Sequence, residues 1–96
     1  MSSSTKRVLV VGTGHMGRSH ASAYLRIPGF ELAGLCSRGI RQATLPPELS
    51  AAARFTSFEE GLAATKPDIV SIATWPDTHA PFAIRALESG AHVFLE

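Results

Sequence analysis

The sequence predicts an α/β fold: a doubly wound parallel sheet of five strands with helices on both faces. Three features of the 96-residue chain predict it. A continuous apolar β-branched run opens into a glycine-rich turn and a helix, further buried runs have strand character, and the segments between them carry helical periodicity. Val8, Leu9, Val10 and Val11 are the apolar run, the pattern of a central parallel strand covered on both faces. Gly12, Gly14 and Gly17 follow it in G-x-G-x-x-G spacing. Met16, His20, Ala23, Tyr24 and Ile27 recur at helical spacing, and Pro28 and Gly29 end that helix. Residues 30–36, FELAGLC, give a second strand, parallel to the first through a right-handed crossover, and Ser37, Arg38 and Gly39 turn out of it.

Residues 40–45 are a candidate second helix that Pro46 and Pro47 break, leaving a separate helical turn over 48–53. Residues 54–56 read as a brief edge strand. Ser57 with Glu60 three residues on is a capping-box signature, and the helix it opens over 58–64 is closed by Lys66 and Pro67. Residues 68–73, DIVSIA, form another buried strand, with 74–78 as its outgoing loop. Ala80, Ala83, Ile84 and Leu87 repeat at i, i+3, i+4 and i+7, with Pro81 tolerated in the first turn and Gly90 just past the end. The last strand covers 91–95. This alternation predicts the strand order 3-2-1-4-5.

Length and composition set the limits. The chain fits one domain, 1–96, and its 45% hydrophobic and 18% charged residues are those of an ordinary globular core. Nine Lys and Arg against eight Asp and Glu leave a net charge of +1, which argues against nucleic acid or a membrane surface as a general partner. A single cysteine, Cys36, has no internal disulfide partner, so a reducing compartment fits best. The start, MSSSTKR, carries no apolar signal region, and a cytoplasmic location is expected.

Function is expected where the strands end. In an open parallel sheet ligands lie beyond the carboxyl ends of the strands, so the loops after Val11, Cys36, Ala73 and Leu95 should share one crevice. Gly12 permits the tight turn, Gly14 lets the backbone approach a pyrophosphate, and Gly17 lets helix and strand pack closely. The helix amino terminus can hold a diphosphate without a dedicated lysine. Thr13, His15 and Met16 share that turn and count as cofactor contacts, His15 beside the phosphates. The loop after the second strand selects the cofactor. A carboxylate there would bind the ribose 2'-hydroxyl of NAD, whereas this chain has Ser37 and Arg38, which suit a 2'-phosphate. NADP is therefore the expected cofactor, with Arg41 as a second contact and NAD as the alternative. The competing reading makes Arg38 a solvated turn residue and Ser37 a cap of the next helix. No histidine or cysteine stands at metal-ligand spacing, so no metal is expected. Cys36 reads as core, and Glu59, Glu60 and Glu88 as ordinary exposed helix acids.

Taken together, VVGTGHMGRSH, FTSFEEGLAATKPDIVSIAT and PDTHAPFAIRALESGAHVFLE strongly resemble the amino-terminal Rossmann domain of the glucose-fructose oxidoreductase and inositol dehydrogenase family, Gfo/Idh/MocA. The most specific parts are Met16, Gly17 and His20, the P-x-x-H of Pro76 to His79, and the G-x-H-V-x-x-E of Gly90 to Glu96. The resemblance implies that Thr74, Trp75, Pro76 and His79 lie beside the nicotinamide end of a cofactor. Trp75 stands where the family more often has proline. His79 read without the family is a first-turn helix residue bonded to its own backbone. Glu96 matches the first residue of the family's E-K-P motif and is a further implied contact. The motif's lysine handles the proton at the carbon exchanging hydride, and a second domain supplies the substrate pocket. The 96 residues hold neither, so the chain alone is not expected to be a competent dehydrogenase.

Three functions compete. The first is the NADP(H)-binding domain of an oxidoreductase acting on a sugar, cyclitol or related secondary alcohol. The second is a non-catalytic sensor that keeps only the nucleotide site. The third is a bare folding unit whose exposed last strand favours self-association, consistent with a homo-oligomer.

Overall fold

The chain alternates β1 (Lys6–Val11), α1 (His15–Arg26), β2 (Phe30–Cys36), a 3-10 turn (Pro47–Leu49), β3 (Arg54–Phe55), α2 (Phe58–Thr65), β4 (Ile69–Ile72), α3 (Pro76–Glu88) and β5 (His92–Leu95). This computed structural model describes residues 5–12, 15–40, 45, 47–49, 51–73 and 76–95, with backbone alone at 15–19 and 76–80. The strands form one sheet in the order β3-β2-β1-β4-β5, every pairing parallel, as the sequence predicts. The chain steps outward from β1 to β2 and β3, then crosses back to β4 and β5. That reversal falls beside β1, the position at whose carboxyl edge open parallel sheets hold their ligands.

β1 takes the centre because it is apolar on both faces. Leu9 and Val11 join Val70 and Ile72 of β4 under Phe58 and Leu62 of α2 and Ala86 of α3. Val8 and Val10 join Leu35 of β2 under Ala21 of α1, Ile40 and Leu49. Each layer covers a different face, so the sheet is wound on both sides. The β1–β2 register slips between Val8 and Leu9: Val8 pairs with Leu32 but Leu9 with Gly34, and Ala33 is the extra residue.

Local chemistry sets the helix ends. Ser57 caps α2 with extended backbone, φ −120° and ψ 132°, and its hydroxyl accepts the Glu60 N–H at 3.3 Å. At the other end Lys66 adopts the left-handed conformation, φ 45°, and its N–H bonds Leu62 O at 3.0 Å. A non-glycine residue there carries a Cβ penalty. Lys66→Gly is therefore expected to stabilise the domain by about 0.5–1 kcal/mol, read as a higher urea midpoint with unchanged slope.

α3 corrects one expectation. It begins at Pro76 rather than beyond residue 78, so Pro81 lies in its second turn and not its first. Pro76 has the fixed φ and missing N–H that suit a first helical position, which extends the helix into the expected loop. The helix acids Glu59, Glu60 and Glu88 are exposed as expected, and the structure adds a partner for two of them. Glu59 and Glu88 both hold Arg85. Arg85 donates from Nε and Nη2 to the two oxygens of Glu59, each at 2.7 Å, and from Nη1 to Glu88 at 2.9 Å. The fork joins α2 to α3, and its hydrogen bonds hold the Glu59 carboxyl below the usual carboxylate range. Exposure to solvent keeps its contribution to stability small.

At the amino end of the sheet, opposite the carboxyl edge, Arg7 ties three elements. Its Nε donates to Thr65 O at the end of α2 (2.9 Å), its backbone N–H to Asp68 Oδ2 (2.9 Å), and its Nη1 to Glu31 (3.2 Å). A cation on the terminal carbonyls of α2 also complements the helix dipole.

Candidate functional site

The candidate site is built on three adjacent strand ends. Gly12 follows β1 with φ 95°, a conformation that L side chains rarely adopt. Its N–H bonds Cys36 O at 2.8 Å, and on the other side the Ala73 N–H bonds Val11 O at 2.8 Å. The end of β1 is thus clamped between β2 and β4, and the glycine turn starts from a fixed point. α1 begins at His15, so His15, Met16 and Gly17 form its first turn, with the positive dipole end at the carboxyl edge of the sheet. α3 begins at Pro76 from the neighbouring strand end, with His79 in its first turn.

Ser37 and Arg38 leave β2 beside Gly12. The Ser37 N–H bonds Phe55 O of β3 at 3.0 Å, and Ser37 O accepts the Ile40 N–H at 3.2 Å. Arg38 is exposed on that turn, and Ser37 is half-buried. The structure therefore brings Gly12, the first turn of α1, Ser37, Arg38 and the first turn of α3 to one edge of the sheet. Thr13, Gly14, Arg41, Thr74, Trp75 and Glu96 lie outside the described residues, as do residues 41–44 of the candidate helix over 40–45. Ile40 itself closes a turn. An apolar residue between glycine and arginine was the one hint that it is buried.

Cys36 forms the floor beneath this edge. It is 3% exposed and packs with Val11, Phe58 and Ile72. Burial, and secondarily the negative Glu60 nearby, push its thiol up to about 11. At pH 8 about one molecule in a thousand then carries the thiolate, so native Cys36 is expected to react with a disulfide reagent far more slowly than in urea. Because the folded value is raised, stability is fully retained below the unfolded thiol value near 9 and falls as pH rises through about 11. A Cys36→Ala variant should lose that alkaline component in urea titrations.

A parallel five-stranded sheet with a glycine turn at its point of reversal defines a Rossmann-type α/β domain. Residues 6–96 match the family model described as an oxidoreductase family with an NAD-binding Rossmann fold, and the chain belongs to that Gfo/Idh/MocA family. It is 34% identical to D-glucoside 3-dehydrogenase of Escherichia coli K12, over 100% of this chain and 28% of that protein. It is 32% identical to a glycosyl hydrolase family 109 protein of Shewanella sp. W3-18-1, over 94% of this chain and 22% of that protein. Among solved structures, GenD2 from gentamicin A biosynthesis, in complex with NAD, superposes with a TM-score of 0.79 at 27% identity, covering 97% of this chain and 27% of that one. The chain thus spans about a quarter of the length of these relatives.

Proposed function

We propose that residues 1–96 are the NADP(H)-binding domain of an oxidoreductase that exchanges hydride with a sugar, cyclitol or related secondary alcohol. One observation carries the cofactor choice. At the carboxyl end of β2, beside Gly12, the chain presents Ser37 and exposed Arg38 where a NAD-selective site has a carboxylate. The residues fit a dinucleotide. The left-handed Gly12 keeps the strand end free of a side chain, and the first turn of α1 offers unpaired N–H groups to a diphosphate. Arg38 donates to a 2'-phosphate through charge-assisted bonds, and Ser37 adds a hydroxyl. Arg41 is its second cationic contact.

The cofactor, when bound, supplies hydride at the nicotinamide C4. This chain's part is to bind and orient it. Pro76 and His79 lie one strand away from the phosphate turn, and with Thr74, Trp75 and Glu96 they border the nicotinamide end in this reading. The substrate class is taken from the family and from the D-glucoside 3-dehydrogenase named above, and not from the residues of this domain. A cytoplasmic location belongs to the same reading, supported by the buried free thiol of Cys36, the one cysteine of these 96 residues. Gly14→Val tests the phosphate turn. It should abolish binding of NADPH and NADH alike while leaving the far-ultraviolet circular dichroism unchanged, and retained binding would refute the turn's role.

A further inference from the structure

We infer that Ile40 is a positioning residue for cofactor discrimination, fixing the turn from which Arg38 reaches a 2'-phosphate. The inference rests on the dinucleotide reading above and adds a determinant to it. Two anchors bound the turn. At its start, the Ser37 N–H is held by Phe55 O at 3.0 Å, which fastens it to β3. At its close, the Ile40 N–H returns to Ser37 O at 3.2 Å. The Ile40 side chain has no solvent exposure and is packed with Val8, Val10, Leu35 and Leu49. Between the anchors stand Arg38 and Gly39, both exposed. A Cβ at Gly39 would meet nothing within 4 Å, so crowding does not hold the turn. What fastens it to the fold is the pair of anchors at its ends.

A fixed root matters for a guanidinium. Arginine loses rotamer freedom on gripping a phosphate, and a backbone already held in place leaves less to be ordered on binding. Releasing the Ile40 anchor should therefore weaken the ligand that Arg38 grips and spare the one that it does not. NADPH carries the extra phosphate and NADH does not, so the ratio of their dissociation constants isolates the effect from any general loss of folding.

The test is to titrate the 96-residue chain and its variants with NADPH and with NADH. Ile40→Ala should weaken NADPH about fivefold and NADH by less than about twofold, with Ile40→Val close to the parent ratio. In an Arg38→Ala background, Ile40→Ala should leave the ratio unmoved, because the grip it supports is already gone. A glycine inserted after Gly39 serves if Ile40→Ala does not fold. It breaks the closing hydrogen bond in a surface turn and should lower NADPH preference in the same way. An unchanged ratio in whichever of these variants folds, or equal losses for both nucleotides, overturns the positioning role. A parent chain that binds neither nucleotide, or binds NADH as tightly as NADPH, overturns the underlying reading instead.

Discussion

Leu9→Ala is expected to lower the unfolding free energy by about 3–4 kcal/mol, within the range for emptying a fully buried leucine site. Leu9 has no solvent exposure, lies on the central strand, and packs against Gly61 of α2, where an added Cβ would come 3.5 Å from its methyl groups. β1 is hydrogen-bonded on both sides, to β2 and β4, so the cavity cannot close by moving a free edge. Domains of this size have total stabilities of about 5–15 kcal/mol, so the loss would be a large fraction of the whole. Urea denaturation followed by circular dichroism reads it. Leu87→Ala is the control, because Leu87 is 61% exposed and should change stability by less than about 0.5 kcal/mol. Equal effects at the two positions would contradict the layered core.

Arg38→Ala is expected to weaken NADPH by about 10- to 100-fold, the equivalent of one lost charge-assisted contact at about 1.5–3 kcal/mol. NADH should change by less than about twofold. The difference follows from chemistry present in only one of the two ligands, and Arg38 is exposed, so its removal empties no core. Raising salt should erode the NADPH preference of the parent more steeply than that of Arg38→Ala, which keeps only Arg41 against the extra phosphate, because screening acts on that phosphate. Equal losses for both nucleotides would return Arg38 to a solvated turn residue.

Much of the fold was legible because its signals are local. The unbroken run Val8 to Val11 marks a strand with two buried faces, and Ser57 marks the start of α2 by its own hydroxyl. The strand order follows from helices spaced between strands, which leave little choice of crossover. What was not legible depends on docking. Arg85 and Glu59 are 26 residues apart and meet only because α2 and α3 share a face of the sheet. Ile40 is buried against β1, β2 and the 3-10 turn, contacts that its place at the head of a candidate helix did not reveal. At the site, the residues at strand ends, Gly12, Ser37 and Arg38, could be placed from sequence because strand ends are what periodicity locates. Pro76 misled, since proline is at home both in a loop and at the first position of a helix.

The central claim is that these residues form a nicotinamide dinucleotide site selective for the 2'-phosphate. Calorimetric titration of the chain with NADPH, then with NADH, tests it most directly. The account predicts saturable one-to-one binding of both, with NADPH tighter by about tenfold or more, as one phosphate contact implies. No heat of binding from either nucleotide at millimolar concentration would contradict the site, and tighter binding of NADH would contradict the role given to Ser37 and Arg38.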